Sequence, residues 1–342
     1  MPKTKIASFY NEPWEQEYLK AKLPEYEWVF YTGSMQDNPD ARDAEAEVLS
    51  IFVKSHVDAV ALDRFPNVKF IATRSTGFDH IDLDETAKRG IVVSNVPFYG
   101  ENTVAEFAFA LLLMLSRMTY EGHDRIIKTG SFSPQGLRGF DLKGKTLGVV
   151  GTGHIGRHVI RMAKGFEMNV VAFDVKRDDA YAKEAGISYA TFDELLAESD
   201  IITLHAPYNP HTHHLINRGN VEKIKNGAYI INTARGGLVE TDALVYALEK
   251  GIIAGAGLDV LEEEGYLLDK TALLNDQHPN VESLKTMLEN HYLIDHPRVI
   301  ITPHMAFNTD EALKRILDAS AENIQAFKAG SPINVVKLNG VK

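Results

Sequence analysis

Three side chains stand just past apolar, strand-like runs in the second half of the sequence: Arg235 after 228–232, Glu264 after 254–258 and His304 after 299–302. A guanidinium is planar and grips a carboxylate through two parallel hydrogen bonds, which an ammonium cannot do. An imidazole gives up a proton near neutrality, and a carboxylate beside it favours its charged form and fixes the ring. Together the three could hold a small acid by its carboxylate and protonate a carbonyl next to it, as reduction of a 2-keto acid requires. Taken singly they read otherwise: Arg235 as a surface cation, Glu262–Glu263–Glu264 as a solvated acidic run, His304 after Pro303 as a turn cap. The joint reading depends on a scaffold that supplies the reducing equivalent.

That scaffold is written at 151–156, Gly-Thr-Gly-His-Ile-Gly, directly after the apolar run 147–150 and at the start of a helix-like stretch. Gly151, Gly153 and Gly156, with His154 and Ile155 between them, suit a tight turn that lets a pyrophosphate approach backbone N–H groups at a helix N-terminus. Asp174 ends the next strand-like run, about 20 residues past the last glycine, where a carboxylate accepts hydrogen bonds from ribose hydroxyls and repels a 2′-phosphate. Lys176 and Arg177 follow it and could hold that phosphate. Asp174 sits at the strand end, so the reading is NAD.

The elements that position these groups alternate strand and helix. In the first third, 5–9, 28–31, 48–53, 69–73 and 91–94 predict strands separated by turn signals. An almost wholly apolar stretch, 102–117, predicts a long buried helix. Past a Gly/Pro-rich passage at 130–139, strands are predicted at 146–150, 169–173, 200–204, 228–232, 254–258 and 299–302. The segment 310–328 predicts a helix whose packing partner the pattern does not reveal. The fold class is α/β.

A chain of 342 residues suits two domains. With 47 acidic against 36 basic residues, the formal net charge of −11 repels phosphate backbones and anionic headgroups, so neither nucleic acid nor membrane is an expected partner. There is no cysteine, which excludes disulfides and thiolate chemistry and fits a reducing compartment. With no apolar leader at 1–13 and no membrane-length apolar run, the location expected is cytoplasmic. His211, His213 and His214 lie close together, but no acidic or thiolate partner stands at ligand spacing, so polar capping is expected there and no metal. His80, His123, His154 and His158 carry no distinct signal of their own.

With these residues assembled, the sequence resembles the D-isomer-specific 2-hydroxyacid dehydrogenases, most of all their D-lactate dehydrogenase branch. The resemblance runs through Arg74-Ser75-Thr76-Gly77-Phe78-Asp79-His80-Ile81-Asp82, 95–99, 103–106, the glycine motif, His205-Ala206-Pro207, 232–237, Gly257-Leu258-Asp259-Val260 and 302–307. It implies two Rossmann-like parallel-sheet domains, an NAD-binding domain of 102–306 inserted into a substrate (catalytic) domain of 1–101 and 307–342. It further implies that Arg235 binds the carboxylate and keto oxygen, His304 is the acid/base and Glu264 pairs with it. Asp259 is expected to support the nicotinamide region. His205, Ala206, Pro207, Thr212, Thr233 and Ala234 are expected beside the cofactor. Thr76 and Gly77 are expected to offer N–H groups to the substrate carboxylate, and Tyr99, Phe307 and Phe52 to wall its side chain.

The activity implied is interconversion of pyruvate and D-lactate by a homodimer, with 102–117 as an interface element. The alternatives are a glyoxylate/hydroxypyruvate reductase, a dehydrogenase of larger D-2-hydroxy acids, or an NAD-sensing corepressor-like binding protein. Two departures stand out. A long polar excursion, 265–297, replaces the short Pro-containing link many relatives carry after the catalytic Glu. The sequence stops at Lys342, where long phosphoglycerate dehydrogenases continue into a regulatory extension, so that role is not the one expected.

Overall fold

A computed structural model describes residues 3–264 and 281–336. The chain divides into two compact units, Met1–Tyr99 with Thr309–Lys342, and Gly100–Asn308.

The first unit holds β1 (Lys5–Phe9), β2 (Glu27–Tyr31), β3 (Ala46–Ile51), β4 (Phe70–Thr73) and β5 (Val92–Ser94), all parallel, in the order β2-β1-β3-β4-β5. Parallel neighbours need long crossovers, and these are supplied by α1 (Pro13–Lys22), α2 (Ala59–Asp63) and α3 (Leu83–Lys88) among the intervening segments. All four residues of β4 are buried, as a sheet covered on both faces demands. The C-terminal helix Asp310–Lys328 buries Ile316, Leu317, Ala321 and Ile324. Ala321 and Ile324 join a cluster with Ile6, Val48, Phe70 and Ala72, and Phe327 stacks on Phe70 at 4.5 Å. The destination of this helix, which the pattern leaves open, is one face of the five-stranded sheet.

The second unit begins with α4 (Glu101–Arg117) and α5 (Thr119–Thr129), broken at Met118, whose φ of 50° lies in the left-handed region. Then come β6 (Thr146–Val150), α6 (His154–Gly165), β7 (Asn169–Phe173), α7 (Asp179–Ala185), β8 (Ser188–Tyr189), α8 (Phe192–Glu198), β9 (Ile201–Leu204), β10 (Ala228–Asn232), α9 (Thr241–Glu249), β11 (Ile253–Leu258), α10 (Val281–Asp295) and β12 (Val299–Ile301). Seven parallel strands order as β12-β11-β10-β9-β6-β7-β8. α4 packs its Ala105, Ala108, Phe109, Leu111, Leu112 and Leu115 into the core of its own unit with Val159, Ile160 and Ile231. No single helix among the described residues is long and apolar enough to cross a membrane.

Two differences from the sequence pattern have physical causes. β8 is too short to show a period of its own and survives only as an edge strand beside β7. The stretch read as a polar excursion is helical from Val281 to Asp295, because α10 sinks Asn290 and Leu293 while Lys285 pairs with Asp242 of α9 at 2.6 Å. The first part of that stretch, 265–280, lies outside the described residues.

Candidate active site

The carboxyl ends of adjacent strands in the seven-stranded sheet carry the candidate residues in a row. Register pairs Ile301 with Leu258, Leu258 with Asn232, Asn232 with Leu204, Leu204 with Val150 and Val150 with Phe173. One step beyond this line lie the loops bearing His304, Asp259, Arg235, His205, Gly151 and Asp174. Between β9 and β6 the strand order reverses, and a crevice outside such a switch point is where open parallel sheets bind ligands.

The turn from β6 into α6 fits a dinucleotide. Gly151 has φ +94°, and a Cβ there would lie 2.7 Å from the His205 carbonyl oxygen; at Gly156 it would lie 2.0 Å from the Gly151 carbonyl oxygen. Both glycines are therefore required by backbone approach. Gly153 caps α6 and has nothing within 4 Å of its missing Cβ, so space opens at the helix N-terminus, whose N–H groups and dipole suit a pyrophosphate. His154 and Ile155 form the first turn of α6.

Asp174 follows β7 directly, and its carboxylate accepts from Thr152 N–H at 2.7 Å, Thr152 Oγ1 at 3.0 Å and Lys176 N–H at 2.8 Å. Burial raises its pKa, but these hydrogen bonds outweigh the burial and hold it below the ordinary carboxylate value. An anion is thereby fixed just past β7, beside the glycine turn. Thr152 also bonds Tyr189 Oη at 2.9 Å, a support no local pattern announced. Arg177 donates to the Ala190 carbonyl at 3.3 Å.

Further along the edge, His205 bonds Thr203 Oγ1 through Nε2 at 2.8 Å, and burial pushes its pKa down to about 3. It is a neutral ring at physiological pH. Ala206 and Pro207 follow it into a loop tied by Thr212, which donates to the Pro207 carbonyl at 2.6 Å. Thr233 is buried and Ala234 half-buried in the turn after β10.

That turn is organised by Asn232, whose amide donates to the Arg235 carbonyl at 2.9 Å and whose Oδ1 accepts from Ala234 N–H at 3.0 Å. Arg235 leaves it in extended conformation, half-buried, with Nη1 on the Ala234 carbonyl at 2.8 Å. Gly236 must be glycine, since a Cβ would lie 2.1 Å from Leu261 backbone. The backbone beside Arg235 is thus pressed against the segment that carries Glu264.

Asp259, 1 % exposed, spends its carboxylate on the loop after β12. It accepts from Thr302 Oγ1 at 2.6 Å, Met305 N–H at 2.9 Å and Ala306 N–H at 2.8 Å. Burial raises its pKa despite these bonds. The loop needs the support, for His304 sits at φ +51°, a conformation that costs a non-glycine residue on the order of 1–3 kcal/mol. Three hydrogen bonds to one fixed carboxyl oppose that cost and hold the strained residue in place. His304 Nδ1 and Glu264 Oε1 lie 2.8 Å apart, and Phe307 approaches the His304 ring edge-on at 6.5 Å. Asn232 and Thr302 belong to the supporting set; their motifs are visible in the sequence, their bonds are not.

Within the first unit, Phe52 follows β3 and Thr76 and Gly77 follow β4. Thr76 Oγ1 donates to the Val96 carbonyl at 2.8 Å, and Ser75 Oγ to the Gly77 carbonyl at 2.7 Å. Arg74, 2 % exposed, donates to the carbonyls of Phe9 and Tyr10 at 2.5 and 2.6 Å, and Phe52 stacks on Tyr10 at 5.7 Å. Tyr99 offers its carbonyl to Arg315 Nε at 2.5 Å.

The histidine cluster requires a correction. Sequence spacing shows no acidic partner, yet the fold brings one from far along the chain: Glu262 Oε1 lies 2.5 Å from His214 Nε2, and ligand atoms of His213, His214 and Glu262 fall within 4.8 Å of one another. His214 and Glu262 are hydrogen-bonded to each other.

The family described as D-isomer specific 2-hydroxyacid dehydrogenase, NAD binding domain, matches residues 109–306. The chain is 37% identical over 306 residues to a glyoxylate reductase of Korarchaeum cryptofilum, covering 88% of this chain and 86% of that one. Among solved structures, a D-lactate dehydrogenase from Aquifex aeolicus complexed with NAD and lactic acid is similar at TM-score 0.84 and 36% identity, covering 97% of this chain and 100% of that one. The pyruvate reductase of Chlamydomonas reinhardtii is similar at TM-score 0.83 and 35% identity, over 97% of this chain and 98% of the other.

Proposed function

Because this chain belongs to the D-isomer-specific 2-hydroxyacid dehydrogenases, NAD-dependent oxidoreductases acting on the CH–OH group of 2-hydroxy acids, we propose that it interconverts pyruvate and D-lactate. The observation that carries the reading is the His304–Glu264 pair at 2.8 Å, on the same sheet edge as the dinucleotide turn. Likeness to a D-lactate dehydrogenase over nearly the full length supports the choice of substrate.

In this proposal Gly151, Gly153, His154, Ile155, Gly156 and Asp174 hold the adenosine and pyrophosphate of NAD, and His205, Ala206, Pro207, Thr212, Thr233, Ala234 and Asp259 line or support the rest of it. When bound as NADH it supplies the hydride for the carbonyl carbon. Arg235 holds the carboxylate and polarises the keto oxygen through its planar fork. His304, with Nδ1 engaged by Glu264, gives the proton on Nε2 to the keto oxygen; oxidation returns it to the same nitrogen. Glu264 fixes the ring and balances the positive charge it carries before donation. Thr76 and Gly77 bind the carboxylate, and Phe52, Tyr99 and Phe307 contact the substrate side chain. The enzyme works in the cytoplasm as a homodimer, in keeping with the absence of cysteine and with the habit of the family it resembles.

Glyoxylate reductases among the relatives favour a second reading, reduction of glyoxylate or hydroxypyruvate. A panel of 2-keto acids with NADH, products resolved by chirality, separates the two. Pyruvate is expected to give the highest kcat/KM and only the D product. A higher value for glyoxylate moves the assignment to the second reading, and an L product overturns both.

A further inference from the structure

We infer that Glu262 is a positioning residue of the proton-transfer pair, through a clamp with His214 and Thr241 that fixes the turn bearing Glu264. The inference rests on the roles proposed above for His304 and Glu264.

Glu262 stands two residues before Glu264 and reads in the sequence as part of a solvated acidic run. Its side chain is instead only 17 % exposed, and both oxygens are committed. Oε1 meets His214 Nε2 at 2.5 Å; Oε2 accepts from the Thr241 hydroxyl at 2.8 Å and the Thr241 N–H at 3.2 Å. Its backbone carbonyl accepts from Asn290 Nδ2 at 2.7 Å, and Asn290 is fully buried. Each partner is fixed in turn. Thr241 opens α9. His214 sits at φ +50°, stacks on His213 at 3.7 Å and donates its N–H to the Gly237 carbonyl at 2.8 Å.

The held segment is short. Leu261 backbone lies against Gly236, next to Arg235. Glu263 takes φ +54°, and the Leu261 N–H reaches Glu264 Oε2 at 3.4 Å. A turn containing a left-handed non-glycine residue keeps its shape only when its surroundings impose it. The three bonds to the Glu262 carboxylate and the one to its carbonyl are that imposition. They set the direction in which Glu264 leaves the backbone, and therefore its distance to His304 Nδ1. Loss of the clamp lets the turn relax, and the histidine keeps its place on the Asp259-bound loop while its carboxylate partner wanders.

The experiment compares Glu262→Ala, Glu262→Gln, Glu264→Gln and the double variant Glu262→Ala/Glu264→Gln in the full enzyme, reading kcat against pH for NADH-dependent keto-acid reduction, KM for NADH and Tm. Glu262→Ala is expected to lower kcat roughly tenfold, the scale of one weakened charge-assisted hydrogen bond, and to draw the alkaline limb of the profile to lower pH, as Glu264→Gln does. KM for NADH should hold. Glu262→Gln keeps an acceptor for Thr241 and should recover most of the loss. Because both residues act through one contact, the double variant should be no worse than Glu264→Gln alone. A lower Tm with parent kcat and parent pH limb, or losses that multiply in the double variant, overturns the inference while leaving the His304–Glu264 reading intact. An unmoved limb in Glu264→Gln sinks that reading itself and this inference with it. Should Glu262→Ala not fold, Thr241→Val, which deletes only the 2.8 Å hydroxyl bond, carries the same comparison: a smaller shift of the same sign supports the clamp, and none refutes it.

Discussion

In the role proposed for it, Asp174 serves structure and selectivity with one carboxylate. Its hydrogen bonds from Thr152 and Lys176 hold its pKa below the ordinary value, so it is ionised at neutral pH. A fixed anion at the end of β7 favours ribose hydroxyls and repels a 2′-phosphate. NADH is therefore expected to exceed NADPH in kcat/KM, and Asp174→Ala to cut that preference by about tenfold or more, the scale of one unit-charge repulsion at short range. An unchanged NADH/NADPH ratio in the variant would remove the role assigned to this residue. The placement of Asp174, Arg235, Glu264 and His304 past the ends of strands was legible in the sequence, because apolar runs precede each of them. Glu262 was not, because its partners His214 and Thr241 stand far from it in sequence and nothing local separates it from Glu263.

At the scale of elements, strands and long helices were legible because burial on both faces of a parallel sheet leaves continuous apolar runs. The pattern 169–173 and the strand Asn169–Phe173 coincide. The pattern loses its grip where an element is two residues long, as in β8, or where polar residues on one side of a helix hide a buried Leu293, as in α10.

The β6–α6 turn offers a sharper test, since its glycines are required for different reasons. At Gly156 an added Cβ would meet the Gly151 carbonyl oxygen at 2.0 Å, whereas at Gly153 nothing lies within 4 Å. Gly156→Ala is expected to lose about 1–3 kcal/mol of stability, as overpacking does, seen as a lower Tm without any ligand. Gly153→Ala should keep the parent Tm and instead weaken NADH binding, because its methyl group enters the space kept open at the helix N-terminus. Equal Tm losses, or unchanged NADH affinity in Gly153→Ala, would show that the open space is not where the pyrophosphate sits.

For the molecule as a whole, the net charge of −11 opposes the approach of an anionic substrate, so attraction must be local and strong. The α/β class was legible from the alternation of elements, and the two parallel sheets from the family resemblance. The packing of the C-terminal helix onto the first sheet was not, because an amphipathic stripe names no partner.

The most direct measurement is made on one variant, Arg235→Lys, with NADH affinity, Tm and pyruvate kinetics read together. Lysine keeps the charge and loses the fork. Loss of one charge-assisted hydrogen bond, roughly 1.5–3 kcal/mol, lowers kcat/KM for pyruvate on the order of ten- to a hundredfold or more, with NADH affinity and Tm close to the parent. Kinetics near the parent, or a fall in Tm that weakens cofactor and substrate binding alike, would contradict the claim that this arginine orients the keto acid for His304.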